Sequence, residues 1–401
     1  MSTDAPSLSR EQLRAAESVL SDKFATRIRV VAQAAMADGP AVFRVGLEGR
    51  GAPRSAILKT PRAIEGMPYD YRDLAPQSPA WLLTNEWTGL KFLDLCHEDA
   101  AGPRVAPMFF GGDLERGVLV LEDLGDGDSL AAALLGDKPD EAETALLAFA
   151  SALGRMHAIS AGREAEFEAL LAGMGRPPDR PYRERRLREE IARIPATFDE
   201  LDFEWTPGLV DDVQQIASAM LEPGPFSAYT HGDPCPDNDR LVDGRALLFD
   251  FERGGFRSAL LDGSYGRVPF PTCWCVNRLP DWLANRFETA YRLELVKRIP
   301  QAGDEGAFER GLMEASGWWL LMNAVSLLPL ALRLDERWGI STYRQRLLHR
   351  FEAFAQRSER SRHLEALGAF AYVMGQRMRV KWPETPDMPL YPAFRDYAGI
   401  S

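Results

Sequence analysis

His231, Asp233, Asn238 and Asp250 are the residues whose types and spacing could do chemistry. The first three lie in His231-Gly232-Asp233-Pro234-Cys235-Pro236-Asp237-Asn238, and the fourth opens Asp250-Phe251-Glu252 after the apolar Leu247-Leu248-Phe249. Asn238 stands five positions after Asp233. A phosphoryl-transfer site asks for this pattern: one carboxylate for an acceptor hydroxyl, then an amide and a second carboxylate for magnesium. Asp and Pro are also frequent turn formers, and a lone His-Gly-Asp would read as a surface turn. The complete spacing, with a second apolar run leading into the second Asp, argues against that reading.

Other elements must position these groups. Apolar runs at 226–229 and 246–249 place both polar clusters where short strands meet loops. Upstream, Ser9-Arg10-Glu11-Gln12 reads as a capping box opening a helix to about residue 20. Strand character follows at 27–34, 41–47 and 56–59, the last ending in Lys59. A Lys that closes an apolar strand is, by itself, more often a solvent-facing side chain. Here it precedes a segment of helical periodicity, 80–95, that contains Glu86, which makes Glu86 its candidate partner. The runs 105–109 and 117–121, separated by Gly111-Gly112-Asp113, predict a hairpin that completes an antiparallel sheet. Beyond Leu121 the period changes to that of helices, with an amphipathic one at 142–159. It carries His157, which reads as packing because no acid stands beside it in sequence.

His231-Gly232-Asp233, Asn238 and an apolar strand ending in Asp250-Phe251-Glu252 together resemble the aminoglycoside phosphotransferase and choline kinase family of small-molecule kinases. The resemblance implies an α+β, bilobal protein-kinase-like fold. Residues 1–121 would form a nucleotide-binding lobe with an antiparallel sheet and one main helix, 122–125 a hinge, and 126–401 a larger, mostly helical catalytic lobe. It also implies transfer of the γ-phosphoryl group of ATP, with Mg2+, to the hydroxyl of a small molecule. Asp233 would orient that hydroxyl and accept its proton, while Asn238 and Asp250 would hold magnesium. Lys59 would grip the phosphates beside Glu86, and backbone groups of Glu122, Asp123 and Leu124 would meet the adenine edge.

The chain departs from kinase patterns in four places. Gly232 stands where a protein kinase has Arg, and 253–280 contains no Ala-Pro-Glu, so protein substrates are not expected. Only Gly39 occupies 36–40, where a glycine-rich phosphate loop would sit. Asp239 replaces the apolar residue usual in the family, and would be either a disturbance of the loop or a group supporting magnesium. The sparse phosphate loop and Asp239 motivate a rival reading as a nucleotide-binding or catalytically silent regulator.

Composition sets the outer bounds. A chain of 401 residues with 45% hydrophobic and 26% charged residues belongs to the globular class and should divide into two or more lobes. No export signal is read in 1–14, and the apolar stretch 317–332, broken by Asn323, Ser326 and Pro329, reads as a buried helix too short to span a bilayer. Cys96, Cys235, Cys273 and Cys275 form no disulfide framework in so long a chain, which suits a reducing cytoplasm, and Cys273-Trp274-Cys275 reads as packing. The net charge of −12 argues against nucleic acid as a partner. Residues 333–381 nevertheless carry ten Arg and one Lys against five acids, most of these charges being expected on solvated helix faces.

Overall fold

The computed structural model describes residues 7–36, 41–199 and 205–396. Its elements in chain order begin with α1 (Arg10–Phe24), β1 (Arg29–Ala35), β2 (Val42–Glu48), β3 (Ser55–Lys59), α2 (Pro79–Asp99), β4 (Phe109–Asp113) and β5 (Val118–Glu122). Then come α3 (Leu130–Leu135), α4 (Pro139–Ser160), α5 (Glu164–Gly173), α6 (Asp179–Asp199) and α7 (Pro207–Leu221). Short strands β6 (Ser227–Thr230), β7 (Asp239–Val242), β8 (Arg245–Leu248) and β9 (Gly255–Ser258) precede α8 (Leu260–Gly263), α9 (Asp281–Leu295), α10 (Glu305–Arg333), α11 (Tyr343–Ser361) and α12 (Glu365–Lys381). The chain divides into two compact units: Met1–Gly127 with Ala165–Pro178 and Leu247–Gly255, and Asp128–Glu164 with Asp179–Ala246 and Phe256–Ser401.

The first unit is built on one antiparallel sheet of order β1-β2-β3-β5-β4. Alternation sets its faces. Phe43, Val45, Ala56, Leu58, Val118 and Val120 pack with Ala16 and Leu20 of α1 in one buried cluster. Each large member of that cluster contributes about 1.5–3 kcal/mol through burial. Lys59, one position on from Leu58, therefore points to the opposite face. The helix α1 starts at the expected place, with Ser9 accepting from the Gln12 amide and Gln12 returning the bond to the Ser9 amide. It runs on to Phe24, four residues beyond its expected end.

The expected hairpin is shifted. Residues 105–108 lie outside the strand, which runs from Phe109 through Gly111-Gly112-Asp113, and the turn follows at Leu114 to Gly117, closed by a 3.1 Å hydrogen bond from the Gly117 amide to the Leu114 carbonyl. The reason is steric. The register slips between Phe109 and Gly111, and a Cβ on Gly112 would come within 2.5 Å of the Val118 carbonyl and 2.6 Å of the Trp87 ring. These glycines serve a bulge and a close approach inside a strand, not the turn that their local sequence predicts.

The second unit is mainly helical. In it, α10 extends well beyond the apolar stretch seen in sequence: at 29 residues it is long and apolar enough to cross a membrane, and 67% of its most apolar window is buried inside the fold. The expectation that it is too short for a span is thereby corrected, because the helix opens earlier, where Asp304 accepts from the Ala307 amide.

Candidate active site

Lys59 ends β3, and its partner lies on α2. The Lys59 ammonium sits 2.5 Å from Glu86 Oε1 and 2.8 Å from Asp250 Oδ1, and all but about a tenth of its side chain is out of solvent. Burial works to lower the Lys59 pKa, but the neighbouring charges of Asp250 and Glu86 raise it above its ordinary value. Burial likewise pushes the Glu86 carboxyl up, to about 7, against the pull of Lys59 and with the push of Asp250 and Glu252. Asp250 adopts a left-handed backbone, φ 73°, at the start of a turn of 3-10 helix over Phe251–Arg253. A left-handed non-glycine residue is a strained conformation that the surroundings must hold.

What holds it went unnoticed in the sequence. Asn85, buried on α2 beside Glu86, donates its amide to the Glu252 carbonyl at 3.0 Å and the Gly254 carbonyl at 2.8 Å. Arg176 in turn donates to Asn85 Oδ1 at 3.3 Å and stacks over Trp81, 4.3 Å from the ring centre. The available signal was a polar residue on a helix buried on nearly all sides. Arg62 adds an exposed cation 3.2 Å from Glu252, whose carboxyl burial pushes up.

Of the expected hinge residues, Glu122 donates its amide to the Met108 carbonyl and accepts the Met108 amide on Oε2, both at 2.9 Å. The Asp123 carboxylate is engaged by Ser55 Oγ at 2.6 Å, the Gly125 amide at 2.9 Å and Arg44 Nε at 2.8 Å. Burial acts to raise its pKa, but these donors outweigh it and hold the group below the usual range. Leu124 is half-buried. Gly39, expected in the phosphate loop, lies outside the described residues.

In the second unit, the loop after β6 turns at Gly232, φ 85°, a conformation that glycine adopts freely. The Asp233 amide donates to Nδ1 of the buried His231 at 3.4 Å, and Asn238 donates its side-chain amide to the Asp233 carbonyl at 2.9 Å. That bond assigns the Asn238 nitrogen as the donor and Oδ1 as the acceptor end of the side chain. Asp233 Oδ1 accepts a 2.7 Å hydrogen bond from Thr272 Oγ1, and Trp274 Nε1 donates to Asp237 Oδ2 at 2.8 Å. Asp239, wholly buried, accepts the Leu130 amide at 2.9 Å, and burial raises its carboxyl to about 7. Its contact runs to the start of α3.

The structure brings together Lys59, Glu86 and Asp250 in one unit and Asp233 with Asn238 in the other. Residues 90–292 match the sequence profile of the phosphotransferase enzyme family, just over half of the chain. The chain belongs to the phosphotransferase enzyme family. This member is similar in structure to a choline/ethanolamine kinase family protein from Mesorhizobium loti, with 15% identity, 90% of this chain and 98% of that one covered, and a TM-score of 0.42. An ethanolamine kinase from Plasmodium vivax is 12% identical, with coverages of 87% and 83% and a TM-score of 0.45. A macrolide 2'-phosphotransferase from Brachybacterium faecium is 14% identical, with coverages of 84% and 97% and a TM-score of 0.39. No curated protein matches the sequence.

One expectation about this phosphotransferase is corrected by its second unit, and two readings are sharpened. Cys235 and Cys273 are joined as a disulfide, leaving Cys96 and Cys275 as buried thiols. The pair lies 38 residues apart, a pairing that no local spacing announces, and cysteine usage no longer argues for a reducing compartment. His157 does face an acid: its Nε2 lies 3.2 Å from Asp262 Oδ2 and its Nδ1 2.9 Å from the Tyr291 hydroxyl, all buried, so it remains interior packing with its polar atoms satisfied. Finally, part of the basic region is interior. Arg346 is fully buried on α11, where it donates to the carbonyls of Cys273 and Trp274 at 2.8 Å and of Trp338 at 2.5 Å. Its planar fork satisfies several carbonyls at once, which offsets the cost of burying the charge.

Proposed function

We propose that this phosphotransferase moves the γ-phosphoryl group of ATP to the hydroxyl of a small molecule. The observation that carries the reading is the buried Lys59, held between Glu86 and Asp250. A fixed ammonium beside a carboxylate supplies the grip on phosphate oxygens that phosphoryl transfer needs. Asn238 Oδ1 and the Asp250 carboxylate are hard oxygen donors of the kind magnesium takes, and they would hold it. When bound, magnesium neutralises charge on the phosphates.

The remaining work falls to the chain. Asp233 accepts the proton of the acceptor hydroxyl, and Asn238, through its bond to the Asp233 carbonyl, keeps the two functions of one loop in register. Glu86 keeps Lys59 in place, and the backbone at Glu122, Asp123 and Leu124 receives the adenine edge. Such a site works by positioning and charge more than by covalent chemistry. A small acceptor suits a segment, 253–280, that has no Ala-Pro-Glu closing motif.

Two measurements test this. Magnesium-ATP should raise the melting temperature, with linkage of about 2.7 kcal/mol at roughly a hundred times Kd. A screen of alcohol-bearing compounds by coupled ADP release should find an acceptor, and Asp233→Ala and Asp250→Ala should each abolish turnover. Undiminished turnover in either variant would refute its assigned role. A melting shift with no turnover on any acceptor would favour the silent regulator instead.

A further inference from the structure

The loop that carries Asp233 is held from outside by a second segment, Pro271-Thr272-Cys273-Trp274, reached 38 to 41 residues later in the sequence. Thr272 Oγ1 donates to Asp233 Oδ1 at 2.7 Å, and the next residue, Cys273, is bonded to Cys235, two residues beyond Asp233. Trp274 then donates to Asp237 Oδ2 at 2.8 Å. Three consecutive residues thus grip three positions of one loop.

The segment is itself anchored. Arg346 Nη1 and Nη2 each bond a carbonyl at 2.8 Å, of Cys273 and of Trp274, and Arg346 Nε donates to Ser341 Oγ at 3.0 Å. One turn further along α11, Arg350 donates to the Pro271 carbonyl at 3.4 Å and to Asn323 Oδ1. The carbonyls on both sides of Thr272 are therefore fixed by guanidinium groups, and those groups are buried. Burying two arginines is costly unless their donors are used. Here they brace the backbone on either side of the Thr272 hydroxyl.

We propose that Pro271–Trp274 is a positioning strap for Asp233, with Thr272 as the positioning residue and the Cys235–Cys273 bond as its tether. The proposal rests on the reading of Asp233 as the group that accepts the hydroxyl proton. A carboxylate of that kind has several rotamers, and only one presents its oxygen to the acceptor. The Thr272 hydroxyl fixes Oδ1 and with it the plane of the carboxylate. The tether keeps the hydroxyl within reach.

The test is steady-state ADP release with magnesium-ATP and the best acceptor of the screen, on the full chain. Thr272→Val keeps shape and removes the donor; it should lower kcat about tenfold, the scale of one hydrogen bond to a charged group, with KM for ATP changed less than about twofold. Thr272→Ser restores the donor and should recover most of the rate. Dithiothreitol should lower kcat of the wild type and add little to the Thr272→Val loss, since coupled changes are not additive. Thr272→Val turning over like the wild type, Ser no better than Val, or no response of the wild type to reduction would each overturn the strap. Asp233→Ala run alongside separates the two claims: if it turns over normally the reading of Asp233 fails, whereas a dead Asp233→Ala with an unaffected Thr272→Val sinks only the strap. A wild type with no turnover above the Asp233→Ala background overturns both.

Discussion

Lys59 Nζ lies 2.8 Å from Asp250 Oδ1, joining the end of β3 to a turn 191 residues later. The same ammonium reaches Glu86 on α2, so one cation serves two carboxylates, and Arg62 stands 3.7 Å from the other oxygen of Asp250. Glu86 depends on it because burial disfavours its charged form.

Removing that cation should be costly. Lys59→Met leaves Glu86 buried without its counter-ion, and we expect a loss of about 3 kcal/mol in unfolding free energy, the usual scale for breaking a buried pair from one side. Urea unfolding of the variant measures it. Lys59→Met combined with Glu86→Gln should recover part of the loss, because the uncompensated charge is then gone. A change under about 1 kcal/mol for the single variant would mean that the pair is effectively solvated.

Asn85 should matter as much as its charged neighbour. Its amide satisfies the carbonyls of Glu252 and Gly254, which follow the strained backbone at Asp250 in the same turn. Asn85→Leu removes both bonds and leaves two carbonyls without them, at a cost of about 2–3 kcal/mol. Calorimetric binding of magnesium-ATP to the folded variant should also weaken, since the Asp250 turn loses its brace. Unchanged affinity would show that the turn holds itself.

Acid should weaken the second unit through His349. Its ring lies with Arg267, Arg350 and Arg357 around one cavity, and burial first, then Arg278, Arg350 and Arg357, lowers its pKa from 6.5 to about 3. The folded state therefore stays neutral where the unfolded chain takes up a proton, so stability is full above about pH 6.5 and is lost as the pH falls toward 3. Between pH 7 and 5 this group alone should remove up to about 2 kcal/mol. Guanidinium unfolding at both pH values, on the wild type and His349→Gln, isolates it: the variant should lose less over that interval. Equal losses would place the acid sensitivity elsewhere.

The sequence by itself determined what is encoded over short distances. The capping box at Ser9, the alternation of Phe43, Val45 and Leu58 and the helical period around Glu86 each follow from neighbouring residues, so α1, β2, β3 and α2 could be read directly, while the α+β class came with the family resemblance. The five-residue interval from Asp233 to Asn238 belongs to one loop, closed by the bond from Asn238 to the Asp233 carbonyl. Tertiary structure alone decided the rest. Thr272 meets Asp233 across 39 residues, Cys273 meets Cys235 across 38, and Asn85 meets the carbonyl of Glu252 across 167. Such contacts follow no period and no fixed offset. The same holds for Gly112, which a local reading assigns to a turn until the Trp87 ring and the Val118 carbonyl are seen against it. It holds too for Arg346, which reads as a solvated charge until the carbonyls of Cys273, Trp274 and Trp338 close around its guanidinium.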